Sequence, residues 1–515
     1  MGGRFYAWLG ARRGRQAGLA AAALGALAAA ALPPVHAVPV LLVSVPGLLA
    51  LFGGARRLRD AAWLGFWFGF GHNLFGLYWV TEAILIEAAR YWWFVPLAVP
   101  GLSAVLALFI AAACAAAWLV PPGWRRVLVL AGAWVLADMA RQFIGTGFPW
   151  NLWGSVWEFP DAAGDVLIQP AAWISVHGLT LATLLLAALP ALGRRAWTAG
   201  VLLAVGWVGF GLWRLQLPEP PAPGLSVVLV QGDVVEGQKW DRALALDVFR
   251  RQLALTARGV AQAAPGAKAV VWSETASPFL LQSDAPARQA IAAAANGDAS
   301  ANGGAGGVPA LVGSVRFDDD RPRNSLIALS PDGAIVAVYD KWHLVPGGEY
   351  QPNWIPVPVQ IVPGGGFAPG PGPRTLHIPG LPAVGALICY ETIFPGEAVD
   401  EADRPDWMVN ITNDAWFGNS TGPRQHLAAA RMRAVEEGLP LLRAANTGIS
   451  AGFDARGRAL GRLGIGRAGV LVLQLPGHLP PTPFARWGLW LPGLLALGVG
   501  AMGAVPRHRE KASLF

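Results

Sequence analysis

Leu217-Pro-Glu-Pro-Pro-Ala-Pro-Gly-Leu-Ser-Val-Val-Leu-Val-Gln231 is where this 515-residue chain changes character. Residues 219–224, Glu-Pro-Pro-Ala-Pro-Gly, read as a stiff linker, because proline fixes φ and offers no N–H to a helix. Leu225–Gln231, immediately after it, reads as a buried strand. On the N-terminal side the chain is a succession of long apolar runs; on the C-terminal side it turns to short strands and amphipathic helices. The fold class is therefore a polytopic α-helical membrane domain joined to an α/β domain.

Composition supports that division. Hydrophobic residues are 54% of the chain and charged residues 14%, with a mean hydropathy of +0.43, where ordinary soluble chains carry about 25% charge. That argues against disorder, a coiled coil or a wholly soluble enzyme. Twenty-four tryptophans against six tyrosines suit a bilayer, since indole settles at the headgroup boundary. Two cysteines, Cys114 and Cys389, cannot build a disulfide scaffold or a thiolate metal cage.

Runs long enough to span are expected at 17–32, 36–53, 61–81, 92–119, 125–143, 167–192, 196–215 and 486–505. A cleavable signal peptide is the rival reading of the first. If the eight spans alternate, 14 of the 39 cations share one side: Arg4, Arg12, Arg13, Arg15, Arg56, Arg57, Arg59, Arg125, Arg126, Arg194, Arg195, Arg507, Arg509 and Lys511. The opposite short loops hold Glu82, Glu87, Glu158, Asp161 and Asp165, with Arg90. Cation bias then puts both termini in the cytoplasm and the long segment 216–485 outside it. The net charge of +7 is thus a membrane signal, and nucleic acid is not an expected partner. The expected domains are 1–218 with seven spans, 219–480 as the external domain, and 481–515 with the eighth span and a cytoplasmic tail.

In the external domain, strands are expected at Leu225–Gln231, Lys268–Trp272, 309–315, 323–330, 334–339, Val384–Ile388, Trp407–Thr412, 440–446, 449–454 and 468–473. Helices are expected at Asp241–Ala263, 285–295 and 421–438. Pro331-Asp332-Gly333 signals a hairpin, and Ala294–Gly307, rich in Gly, Ala and Asn, reads as a surface insertion. Strands alternating with helices, with several hairpins between, indicate layered α/β structure with mixed sheets.

Metal and phosphate chemistry find little support. The eight histidines are scattered, with no His-Glu-x-x-His and no Cys/His pair close in sequence, and Gly364–Gly366 lacks the Lys-Ser/Thr ending of a phosphate loop. Gly-x-Ser-x-Gly occurs at Gly418–Gly422 and Gly448–Gly452, without the strand-to-helix elbow a serine nucleophile needs. Three polar residues stand out instead. Cys389 ends the strand in Gly385-Ala-Leu-Ile-Cys-Tyr-Glu391, where α/β enzymes present nucleophiles; a buried structural cysteine is the plainer alternative. Glu274, in Trp272-Ser-Glu-Thr-Ala276, lies just beyond another strand and reads as a general base or a helix cap. Lys341, in Tyr339-Asp-Lys-Trp-His-Leu-Val-Pro346, is one of only four lysines beside 35 arginines, so an amine is kept where guanidinium is the default cation. Cys114, among alanines in the fourth run, reads as packing. Together, Glu, Lys and Cys at three strand ends make a coherent base, charge stabiliser and nucleophile.

The Glu–Lys–Cys order, with Cys-Tyr-Glu after a strand, resembles the nitrilase superfamily, and the flanking spans narrow the resemblance to its membrane-embedded branch, the apolipoprotein N-acyltransferases. Gly147-Phe-Pro-Trp150, Gln231-Gly-Asp233, Lys239-Trp240, His343–Pro346, Gly348-Glu-Tyr350, Asn413–Gly418, Gln425-His426 and Arg443–Gly448 carry it further, over nearly the whole chain. Ser273 departs from a usual Pro, Gly347 from Phe and Asn419 from Asp. The resemblance implies an αββα sandwich; Glu274 as base, Lys341 as its neighbouring cation and Cys389 as nucleophile; and Trp240, Glu349, Tyr390 and Glu391 as supporting or substrate-binding residues. It implies no cofactor and no metal. It implies ping-pong transfer of an acyl chain from a membrane phospholipid, through a thioester, to the N-terminal amine of a diacylglyceryl-cysteine apolipoprotein at the bacterial inner membrane, with the catalytic domain periplasmic. The 343–350 loop and Val362–Pro373 are candidates for a mobile rim. A membrane-anchored amidase using water, and a lipid- or peptide-binding receptor or transporter, are the competing readings. The latter would expect ionisable residues deep in the spans, whereas Asp138 and Arg141, one turn apart, read as a local pair.

Overall fold

The computed structural model describes residues 2–86, 88–235, 243–297, 307–352 and 366–505. Chain contacts divide into two compact units. One comprises Met1–Thr81, Ala89–Arg214 and Trp487–Phe515, the other Glu82–Ala88 and Leu215–Arg486.

The first unit is helical. Each of the eight apolar runs contains a helix: Gly14–Ala29, Leu41–Leu51, Leu58–Gly76, Val95–Trp118, Trp124–Phe143, Ala171–Ala187, Arg194–Gln216 and Trp490–Ala504. Three segments, Ala88–Trp118, Ala171–Ala191 and Arg194–Gln216, are long and apolar enough to cross a bilayer. Val38–Gly54 and Trp490–Ala504 are apolar but shorter. The expected run 167–192 is interrupted. A short helix, Ala162–Leu167, is capped by Asp161, whose Oδ1 accepts from Ala163 N at 3.0 Å, and the long helix begins only after Pro170. Close approach comes from small residues. A Cβ at Gly25 would strike the Phe68 backbone and one at Gly71 the Ala22 backbone, so helices Gly14–Ala29 and Leu58–Gly76 meet main chain to main chain. Cys114 is fully buried beside Gly65, as packing predicts. Asp138 and Arg141 form a buried pair at 3.0 Å.

The second unit is two six-stranded sheets. Strands β1 (Leu225–Gln231), β2 (Ala267–Trp272), β3 (Ala310–Asp318), β4 (Arg321–Leu329), β5 (Ile335–Asp340), β6 (Thr375–Leu376), β7 (Val384–Ile388), β8 (Trp407–Thr412), β9 (Leu441–Ala445), β10 (Ser450–Phe453), β11 (Ala459–Leu463) and β12 (Gly469–Gln474) are arranged as β12-β1-β2-β3-β4-β5 and β11-β10-β9-β8-β7-β6. The central pairs β1–β2, β2–β3, β7–β8 and β8–β9 are parallel and the outer ones antiparallel. β1 is buried along its length and, between Ser226 and Gln231, wholly apolar because it is covered on both faces. Val227 and Leu229 join Ala386, Ile388, Val409, Ile411 and Leu442 in the core between the sheets. Val228 and Val230 pack with Phe249, Leu255 and Ile291 of helices Ala245–Gln262 and Ala285–Asn296. Helix Gly422–Glu437 covers the other sheet through Ala430 and Ala434, against Leu387, Met408 and Leu441. The result is a layered α/β sandwich.

Ten of the twelve strands fall where expected, and the β4–β5 hairpin turns through Gly333 at φ +83°. β6 and β11 were not anticipated: one is two residues long, and the other, Ala-Leu-Gly-Arg-Leu, is a largely exposed edge without alternation. The expected start of helix Asp241–Ala263, most of the Ala294–Gly307 insertion and residues 362–365 of the rim lie outside the described residues.

Candidate active site

Glu274, Lys341 and Cys389 each follow a strand. Glu274 lies two residues past β2, Lys341 directly after β5, and Cys389 directly after β7. The first two thus belong to one sheet and the third to the other. Cys389 has φ +50°, a left-handed conformation that costs a non-glycine residue about 1–3 kcal/mol. It turns the chain sharply from β7 into the 3-10 helix Cys389–Ile393. Thr275, at φ +46°, makes a comparable turn after Glu274.

Lys341 is 1% exposed. Its Nζ lies 3.2 Å from Glu274 Oε1 and 2.8 Å from Glu349 Oε2. Asn324, on β4, bridges the two carboxylates, with Nδ2 donating to Glu274 Oε1 at 2.6 Å and to Glu349 Oε1 at 2.9 Å. The second oxygen of Glu274 accepts the Asn413 N–H at 2.8 Å, from the loop after β8, so both sheets hold this carboxylate. Glu349 also accepts from Val345 N at 2.8 Å, which fixes the 343–350 loop against it. Burial favours the neutral amine, but the two carboxylates outweigh it and hold the Lys341 pKa well above its usual value. Burial pushes the Cys389 thiol up; the Glu274 carboxylate adds to this and Lys341 opposes it. The sulfur is therefore held as a thiol.

Glu391 is fully buried and works as a clasp. Its carboxylate accepts from Ile388 N at 2.6 Å, Trp342 N at 2.7 Å and Tyr339 Oη at 3.0 Å. The turn that carries Cys389 is thereby tied to the strand end that carries Lys341. Burial pushes this carboxyl up to about 7, against the pull of those donors. Tyr390 is buried, with its ring edge-on to Phe394 at 5.2 Å. Gly347 lies at φ +76°, a conformation that suits glycine. Trp240 lies outside the described residues.

A second polar cluster meets the backbone of the cysteine. Asp414 Oδ2 meets Arg443 Nη2 at 2.7 Å and its Oδ1 meets His426 Nδ1 at 2.8 Å, while His426 Nε2 lies 2.9 Å from the Cys389 carbonyl oxygen. Asp414 and Arg443 are fully buried and His426 is 1% exposed. Burial raises the Asp414 pKa, but Arg443 and then His426 overcome it and hold the carboxyl at about 2. Although no Cys/His pair is close in sequence, the ligand atoms of Cys389, Asp414 and His426 lie within 4.8 Å of one another. A metal ion there would have to displace the Arg443 guanidinium from Asp414 and His426 from the Cys389 carbonyl, so the donors are already committed. Asn324, Asp414, His426 and Arg443 received no role from the sequence. Three of them sit inside quoted motifs, and a charged residue within an apolar strand was the available signal for Arg443; Asn324, between Arg323 and Ser325, offered none.

Residues 229–479 match the carbon-nitrogen hydrolase family, and residues 24–189 match the apolipoprotein N-acyltransferase N-terminal domain. An apolipoprotein N-acyltransferase of Rhodopseudomonas palustris is 38% identical, over 95% of each chain. One from Bradyrhizobium diazoefficiens is also 38% identical, over 96% of this chain and 95% of its own. This chain belongs to the apolipoprotein N-acyltransferase family. It is accordingly an acyltransferase, with a nitrilase-like α/β domain and a unit of apolar helices. Among solved structures, a mutant amidase of the nitrilase superfamily from Nesterenkonia AN1 matches 52% of this chain and 95% of its own, at 19% identity and a TM-score of 0.38.

Proposed function

We propose that this apolipoprotein N-acyltransferase moves an acyl chain from a membrane phospholipid to the N-terminal amine of a diacylglyceryl-cysteine apolipoprotein, with Glu274, Lys341 and Cys389 as its reacting groups. The observation that carries the reading is the buried Glu274–Lys341–Glu349 cluster, its first two members just past strand ends and the third in the 343–350 loop, beside a left-handed cysteine. Glu274 takes the Sγ proton as sulfur attacks the ester carbonyl carbon. Lys341 and the Tyr390 N–H hold the oxyanion, each well-placed donor being worth roughly 3–4 kcal/mol. The C–O bond breaks, the lysophospholipid oxygen takes the proton from Glu274, and a thioester remains on Cys389. The amine then attacks that thioester and gives its proton to Glu274. The C–S bond breaks, the amide leaves, and the proton returns to sulfur. Glu349 and Asn324 keep Lys341 and Glu274 in register throughout, and Glu391 keeps the cysteine turn beside them.

Eight crossing helices, with both termini cytoplasmic and the α/β domain periplasmic at the bacterial inner membrane, complete the reading. It is supported by a helix in each of the eight runs and by the fourteen cations on alternate loops. The experiment is mass spectrometry of the purified protein for an acyl adduct on Cys389. Cys389→Ser should abolish transfer without loss of expression, while Cys114→Ser should leave activity near normal. A Cys389→Ser protein that still produces triacylated lipoprotein sinks the proposal.

A further inference from the structure

The Asp414–His426–Arg443 cluster has no part in the chemistry above, yet it touches the nucleophile's own backbone. The Cys389 carbonyl oxygen can only accept, so the His426 nitrogen 2.9 Å away, Nε2, must carry a proton and donate it. The other ring nitrogen lies 2.8 Å from Asp414 Oδ1 and 3.1 Å from Arg443 Nη2. The ring is thus held from behind by two buried charged groups, themselves 2.7 Å apart. Arg443 is anchored in turn by Asn410 on β8, its Nη1 donating to Asn410 Oδ1 at 2.5 Å. Thr392 Oγ1 is the second donor to the Cys389 carbonyl, at 3.1 Å.

A trans peptide is planar, and its C=O and N–H point in opposite directions. Whatever grips the Cys389 carbonyl therefore aims the N–H of Tyr390. That control is needed here because Cys389 sits at φ +50°, a conformation that persists only where its surroundings over-determine it. We propose that His426, set by Asp414 and Arg443, is the positioning residue that aims the Tyr390 N–H at the reacting carbonyl by holding the Cys389 carbonyl oxygen. The inference rests on the acyl-enzyme reading of Cys389 and adds a residue to it.

The test separates oxyanion stabilisation from thiol reactivity. Acylation of Cys389 by phospholipid passes through an oxyanion; alkylation by iodoacetamide displaces iodide at a saturated carbon and forms none. In the full-length protein, single-turnover acylation and iodoacetamide alkylation are followed by mass for wild type, His426→Leu, His426→Asn and His426→Gln. Glutamine can return a donor to the Nε2 position, whereas asparagine reaches only the Nδ1 side. Loss of one oxyanion donor costs about 10²–10³ in rate, and Thr392 still holds the carbonyl, so the expected fall in acylation for Leu and Asn is roughly tenfold to a hundredfold. Alkylation should stay within about threefold, and Gln should recover most of the acylation. Unchanged acylation in His426→Leu overturns the proposal. So does a parallel fall in both reactions, which would make His426 a group that holds the fold or serves the thiol itself. A wild-type protein that never acylates Cys389 would instead overturn the acyl-enzyme reading.

Discussion

Gly313→Ala should disable the site without touching any of its reacting groups. Gly313 lies on β3, directly against the turn that carries Glu274. A Cβ there would sit 2.7 Å from Thr275 N and 2.8 Å from Glu274 Cα, with the Ser273 carbonyl oxygen closer still. Ordinary Cβ contacts begin near 3.4 Å, and all three obstructing atoms are backbone, so the turn must move by about 0.5–1 Å. Glu274 is held by contacts of 2.6 Å to Asn324, 2.8 Å to Asn413 N and 3.2 Å to Lys341, which a shift of that size breaks. Misplacement on the order of 1 Å costs about a hundredfold in rate, while overpacking costs about 1–3 kcal/mol of stability. The assay is single-turnover thioester formation on Cys389, with apparent unfolding temperature recorded alongside. Gly464→Ala is the control, because a Cβ there meets nothing within 4 Å. Acylation at the wild-type rate in a folded Gly313→Ala protein would refute the claim that this close approach positions the base.

Lys341→Arg should fail to acylate although arginine is this chain's usual cation, since the 1% exposed amine is wedged between two carboxylates and a planar guanidinium would displace the substrate; near-normal single-turnover acylation would mean that charge alone suffices. Lys341→Met should also fail, leaving two buried carboxylates without their cation, and normal rates in both variants would remove Lys341 from the site. Asp414, depressed from 3.8 to about 2, contributes stability that is present above its ordinary value and is lost as pH falls from about 4 towards 2; unfolding temperatures across that window should fall more steeply in wild type than in Asp414→Asn, and equal slopes would contradict the assignment. A reporter fused after residue 216 should read the periplasm and one after Phe515 the cytoplasm, and the same side for both would break the eight-span count.

The strands were legible because most are buried along their length and rich in apolar residues, as in β1 with its Val227–Val230 run. The three proposed reacting residues were legible because each is a chemically distinctive type placed just after a strand. His426 and Asp414 were not. Their partners are the Cys389 carbonyl and the Arg443 guanidinium, and a contact between a helix and a turn 37 residues apart leaves no periodicity in the chain. Asn324 escaped for a related reason: its role comes from the β4–β5 pairing that places it beside Lys341, whose N–H donates to the Asn324 carbonyl at 2.9 Å. The run 167–192 was read too generously, since hydropathy does not register a long helix that starts only after Pro170.

The proposed base and nucleophile are carried by different sheets, Glu274 after β2 and Cys389 after β7. A newly made chain with only its first sheet formed has a carboxylate and an amine but no sulfur, and the second sheet alone has a thiol with nothing to take its proton. On the proposed mechanism, closing the apolar interior, in which Val227, Leu229, Ile388 and Ile411 meet, is the event that switches on reactivity toward ester bonds. On that mechanism an immature copy of the protein would be harmless to phospholipids, because the ability to cleave an ester would appear only together with the native fold.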